Sequence, residues 1–190
     1  TASQQGVFRR TDTGATWVNV TNQITGIGAT TNNIELAVHN SAGPTNVVYA
    51  GVINSGRLNG LWRSADQGAN WTQLDTPVTN EGGTLIGLQP REKPGGQGGV
   101  HFSIVADPAN ANVVYVGGDR QPTVPPGNTF PNSIGAQDFS GRLFRCNATL
   151  AAGAQCAALT HNGTANNSSP HADSREMRFD ANGDLIETDD

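Results

Sequence analysis

Lysine is nearly missing from this chain: Lys93 is the only one among 11 basic residues, which face 16 acidic ones. With a formal charge of -5 and a pI near 5.2, the chain offers no basic field to draw in nucleic acid or an anionic membrane. No apolar run approaches the roughly 18 residues that a membrane-crossing helix needs, which argues against membrane insertion. A basic-then-apolar leader is also missing, so any secretion signal is expected to have been removed or to lie off this piece. The only cysteines are Cys146 and Cys156, and no Cys/His set has zinc spacing. Neither a Gly-x-Ser-x-Gly elbow nor a phosphate-cradling loop is present. Asp180-x-Asn182-x-Asp184 starts like a calcium loop, but Leu185 replaces its glycine. The sequence therefore predicts neither metal nor cofactor.

What is abundant is glycine, 24 residues of 190, beside few charges (14%), and that balance favours short strands and turns over helices. Residues 6–17 read Gly-Val-Phe-Arg-Arg-Thr-Asp-Thr-Gly-Ala-Thr-Trp, and residues 60–71 read Gly-Leu-Trp-Arg-Ser-Ala-Asp-Gln-Gly-Ala-Asn-Trp. Asp12, Gly14 and Trp17 thus fall on Asp66, Gly68 and Trp71 at an offset of 54. Each copy predicts a β-hairpin: a strand, a polar turn with Gly where φ must be positive, and a Trp covering the hairpin root. The Asp carboxylate would accept hydrogen bonds from its own turn.

This pattern resembles the Asp-box, or BNR repeat, of sialidase-like, VPS10-like and xyloglucanase-like β-propellers. The resemblance implies an all-β fold of blades, each of four antiparallel strands, with Asp-box hairpins structural rather than catalytic. Residues 1–25 then form an outer half-blade and 34–75 a full blade. Its first strand is expected at 34–38, with Ile34, Leu36 and Val38 on one face, and a turn at 40–44 leads to Val47–Gly51. Residues 100–160 repeat the unit, with Val113–Gly117 on Val47–Gly51 at an offset of 66 and an insertion at 122–141. Residues 171–190 form an inner half-blade. Propellers typically have about four to eight blades, so the expectation is part of one propeller whose remaining blades lie elsewhere in a longer chain.

Cys146 and Cys156 stand where the second copy has Ser64 and Trp71, at facing strand ends. Paired strand positions bring Cα atoms to about 4.5–5.5 Å, which a disulfide accepts. A bond here predicts an oxidising location: secreted, periplasmic or cell-surface. Asn-x-Ser/Thr triplets at Asn19, Asn70, Asn147, Asn162, Asn166 and Asn167 agree weakly with that.

In propellers the segments leading into the innermost strands build the working face. Here these are 32–35, 99–102 and 170–176, which place His101 and His171 at corresponding positions and Asp173 and Arg175 two residues apart. Together with Arg120 they make a candidate ligand-binding set, Arg being suited to bidentate contacts. The 122–141 insertion, with Phe130 and Asp138, is a second candidate surface. Trp62 reads as core, because Phe8 and Phe144 share its strand position, and Tyr49 and Tyr115 read as packing.

Two functions follow from the resemblance. One is an extracellular module that binds glycan or protein, or forms a rigid part of a surface assembly. The alternative is a glycoside hydrolase of other than sialidase type, using two carboxylates among Asp173, Glu176, Asp119 and Asp138. The sialidase-like Phe-Arg-Ile-Pro segment is absent. Clear architectural motifs without a paired catalytic set favour the module.

Overall fold

The computed structural model describes residues 4–40, 46–88, 96–125, 127, 129–160 and 169–190. Most of the expected turn at 40–44, and Asn162, Asn166 and Asn167, lie outside the described residues. The described chain is all-β and antiparallel. A short hairpin, β1 (Phe8–Arg9) with β2 (Val18–Asn19), precedes a four-stranded meander. That meander is β3 (Thr31–His39), β4 (Val47–Asn54), β5 (Arg57–Ser64) and β6 (Thr72–Leu74), in sequence order across the sheet. A hairpin that no repeat announced follows, β7 (Val78–Glu81) with β8 (Thr84–Gly87). The second meander is β9 (Ser103–Ala106), β10 (Val113–Arg120), β11 (Gly141–Asn147) and β12 (Cys156–Ala158). A last hairpin pairs β13 (Glu176–Phe179) with β14 (Leu185–Thr188).

The sheets stack face to face through equivalent positions. Alternation along β4 and β5 sends Ala50, Val52 and Trp62 to one face, where Val7, Val20 and Ile24 of the first hairpin region cover them. Tyr49, Ile53 and Leu61 go to the other face and pack against Phe102, Val114, Val116 and Phe144 of the second meander. Trp62 and Phe144 are each 1% exposed, and truncating such an aromatic to Ala costs about 3–5 kcal/mol. Tyr49 hydroxyl donates to Ala111 O (2.8 Å), and Arg63 Nη2 donates to Asn112 Oδ1 (2.8 Å), both in the next meander's first turn. One step on, the Tyr115 ring meets Phe179 of β13 edge to face at 5.4 Å. The first strands consequently lie side by side, β3 by β9 and β9 by β13. Gly51 permits this closeness, since a Cβ there would stand 2.5 Å from Phe102 Cζ.

The first strand is longer than the expected 34–38, and the face shared by Ile34, Leu36 and Val38 is covered only at Ile34, which packs against the first hairpin region. Leu36 and Val38 are 47% and 52% exposed, whereas Ala37 and His39 are buried. The small Ala37 lets β9 approach, and His39 Nδ1 reaches Asp107 O at 2.6 Å.

The two Asp-box copies also differ. In the second, Asp66 Oδ1 accepts from Ser64 Oγ and Asn70 N (both 2.8 Å), Oδ2 accepts from Asn70 Nδ2 (2.8 Å), and Gly68 N donates to Ser64 Oγ (2.7 Å). Gly68 has φ +88°, and Trp71 is buried with Nε1 on Val20 O (2.7 Å). In the first, Gly14 is not at positive φ, its N–H closes the turn on Thr11 O (2.9 Å), and Trp17 is 66% exposed. The reason is local: Arg10 stands where Ser64 supplies the bridging hydroxyl, and its Nε donates to Gly14 O instead (2.7 Å).

Cys146 and Cys156 face each other in the β11–β12 register and are joined by a disulfide, with Cα atoms 4.0 Å apart. The cross-link fits an oxidising environment. No helix among the described residues is long and apolar enough to cross a membrane.

Candidate functional site

The segments leading into β3, β9 and β13 meet at one end of the stacked sheets. Register shifts mark that end, between Thr31 and Asn33 in β3 and between Gly117 and Arg120 in β10. Such bulges re-aim side chains. At the first, Asn32 Oδ1 accepts from Gly56 N (2.6 Å) in the β4–β5 turn. Gly56 O in turn accepts from Gly98 N (2.8 Å), and Gln97 O accepts from His101 N (2.9 Å). At the second, Gly118 O accepts from Ser174 N (2.9 Å), while Arg175 N donates to Thr188 O (2.8 Å). These ties fix His101, Asp173 and Arg175 beside the end of β14.

There, His101 Nδ1 lies 3.9 Å from Asp173 Oδ1 and 3.7 Å from Asp190 Oδ1. One nitrogen of His101 and one carboxylate oxygen each of Asp173 and Asp190 stand within 4.8 Å of one another. Asp190 Oδ2 takes an ion pair from Arg175 Nη2. That guanidinium holds the Asp190 carboxyl below its ordinary value, chiefly through the hydrogen bond and with help from the charges of His101 and His171. Asp173 sits at φ +74°, a conformation that Asp tolerates better than most side chains. Below the cluster, Ser174 Oγ and Ser103 Oγ are 2.7 Å apart and buried. Burial pushes the neighbouring Glu187 carboxyl up, against a hydrogen bond from Ser174.

A second group adjoins the first. The His171 ring lies parallel to that of Phe139 (centroids 5.9 Å, planes 8° apart), and the Arg120 guanidinium carbon stands 5.3 Å from the Phe139 centroid. Arg120 Nη1 pairs with Asp138 Oδ1 at 3.3 Å. The end of the insertion is stitched to the β13 lead-in through Ala172 N on Phe139 O and Gly141 N on Pro170 O (both 2.8 Å).

Of the candidate residues, then, His101, Asp173 and Arg175 come together, and His171 and Arg120 flank them. Asp119 is buried, its Oδ1 accepting from Arg120 N (2.7 Å). Glu176 pairs with Arg178 (2.6 Å) on the exposed face of β13, away from the cluster. Asp138 belongs to the Phe139 group. Asp190, Asp189 (whose Oδ2 accepts from His171 N at 2.6 Å) and Phe139 complete the arrangement and were not foreseen. They lie in segments without a repeat partner, where no sequence signal singled them out. Phe130, picked out in the insertion, is not among the site contacts.

Two clefts open at this end. One, of about 240 Å³, is lined by Asn32, Gly56, Gly96, Gln97, Gly99, Val100 and His101. The other, of about 320 Å³, is lined by Gln4, Gln5, Gly6, Thr31, Asn32, Asn33 and Ile34. Gly, Asn, Gln and Thr make up most of both walls, and no Phe, Tyr or Trp is among their lining residues. Beside the second, Asn33 Nδ2 donates to Glu35 Oε1 (2.8 Å), while burial raises that carboxyl.

No protein-family model matches the chain, and no curated protein and no solved structure matches it.

Proposed function

We propose that this chain forms blades of an extracellular BNR-type β-propeller and that the end carrying His101, Asp173, Arg175 and Asp190 binds a glycan or protein ligand. Two meanders of four strands, stacked with their first strands adjacent, support the propeller reading. On it, β1–β2 and β13–β14 are half-blades, and the exposed Leu36 and Val38 are a blade face awaiting a neighbour. The disulfide supports placement outside the cytosol: secreted, periplasmic or cell-surface.

The observation that carries the binding reading is the meeting of His101, Asp173, Arg175 and Asp190 at one end of the sheets, as paired groups beside a cleft that His101 itself lines. Hydroxyl-rich or carboxylated ligands suit amide walls and an Arg with partly exposed donors. Hydrolysis is the second reading, favoured by the closeness of Asp173 and Asp190. Their oxygens lie within 4.8 Å, however, with His101 and Arg175 on either side, and no Phe, Tyr or Trp lines the clefts. Retaining glycosidases set their carboxyl groups about 5–5.5 Å apart, with one of them free to attack. Screening the protein on polysaccharides and aryl glycosides tests this. Retention without turnover, weakened by Arg175→Ala, is expected; turnover abolished by Asp173→Ala would replace the binding reading with the hydrolytic one.

A further inference from the structure

We infer that His101, Asp173 and Asp190 form a binding site for one divalent transition-metal cation, of the Mn²⁺ or Zn²⁺ kind. The three residues lie far apart in sequence and come from the β9 lead-in, the β13 lead-in and the end of β14, so no spacing motif announces them. An imidazole nitrogen with two carboxylate oxygens is a donor set that such ions share. Bonds of about 2.1 Å in tetrahedral geometry put neighbouring ligand atoms about 3.4 Å apart. The distances of 3.7 and 3.9 Å from Nδ1 are therefore a few tenths of an ångström wide, and small side-chain rotations would close them.

A second observation points the same way. Asp173 Oδ1 is buried and accepts no hydrogen bond among the described residues, although it faces His101 and Asp190. A buried carboxylate oxygen is normally satisfied, and each exception calls for an explanation such as an ion. Asp190 divides its two oxygens, Oδ1 toward His101 and Oδ2 onto Arg175. Arg175 thus plays the part that outer partners play at metal centres, holding a ligating carboxylate in orientation. Asp190 is half exposed, so an ion has an approach from solvent and room for water or a ligand oxygen.

This inference neither needs nor tests the glycan reading. The test is titration of the chelator-treated protein with Mn²⁺, followed by the spin-resonance signal of free ion, and with Zn²⁺ by calorimetry. Wild type is expected to take up one ion saturably. Asp173→Asn and Asp190→Asn should each weaken it by at least about tenfold, and Asp180→Asn, in a distant exposed turn, should leave it unchanged. His101→Gln is added with circular dichroism to check folding; because it is the buried member, the two Asp variants carry the conclusion should it not fold. No saturation by wild type at millimolar ion, or equal binding by the Asp173 and Asp190 variants, overturns the inference.

Discussion

Arg142 is the most consequential side chain that no repeat singled out, and replacing it with Met tests the whole account of how the unforeseen hairpin is held. Its guanidinium is fully buried. Nε donates to Gly87 O (2.9 Å), Nη1 to Gln121 Oε1 (3.1 Å), and Nη2 to Thr79 Oγ1 (3.0 Å) and Ile86 O (2.6 Å). Thr79 Oγ1 in turn donates to Glu81 Oε1 (2.6 Å), and Glu81 also accepts from Ser133 N and Oγ (both 2.8 Å). Hairpin β7–β8, strand β11 and the insertion are therefore locked through the buried Arg142 guanidinium and the buried Glu81 carboxyl. Burial lowers Arg142 to about 10, with Glu81 opposing the shift, so the group is charged at neutral pH. Arg142→Met keeps the length and removes the charge, leaving Glu81 buried without its cation and two carbonyls without donors. Leaving buried acceptors without their donors costs about 1–3 kcal/mol each, so the loss should total about 3–5 kcal/mol. At about 2–4 °C per kcal/mol for chains of this size, the melting point should fall by about 6–20 °C. Glu81→Gln should cost less alone, and the double variant should lose at least about 1 kcal/mol less than the two single losses combined. Thermal and urea unfolding followed by circular dichroism give these values, with hydrogen exchange at β7–β8 as the local readout. A loss under about 1 kcal/mol, or strict additivity, would refute the reasoning.

Two further outcomes follow from the turns. Replacing Cys146 and Cys156 together by Ala opens a cross-link spanning 10 residues, and urea unfolding should show about 2–3 kcal/mol lost; an unchanged midpoint would mean that β11–β12 is held without it. Asp66 is held down to about 2, first by the Asn70 side chain, then by Asn70 N–H and Ser64. Its folded value lies below its unfolded one, so its contribution is present above the ordinary value of 3.8 and lost as pH falls through about 2. Carbon-detected titration should show the Asp66 midpoint rising toward 3.8 in Asn70→Ala, and no movement would mean that Asn70 is not the cause.

The strands and four-strand meanders were legible because they rest on short-range signals that occur twice. Val47–Gly51 and Val113–Gly117 are alternating β-branched runs between turn residues, and both became second strands. The disulfide was legible because its cysteines stand at facing ends of one hairpin. Which face would be covered was not legible: Leu36 and Val38 are apolar yet exposed, and the small Ala37 takes the side where β9 packs close. Hairpin β7–β8 escaped notice because Val78-Thr79-Asn80-Glu81 has the alternation of a strand but its inward residues are Thr79 and Glu81. Burying them is made tolerable by Arg142 and Ser133, both far along the chain.

The site was half legible for a related reason. His101, Asp173 and Arg175 lie in segments that a repeating fold brings to one end, so their neighbourhood followed once the repeat was seen. Asp190 and Phe139 lie where the repeat gives no partner position, and nothing local distinguishes them from other polar or loop residues. That asymmetry has a physical root. Stacked meanders demand the same small, β-branched and aromatic residues at every turn of the pattern, since each sheet must match both neighbours. The lead-in segments need only satisfy their backbone groups, which Asn32, Gly56, Gly118 and Thr188 do largely through main-chain contacts. Their side chains are released from packing, and the charges that make one end of this molecule chemically distinct accumulate there.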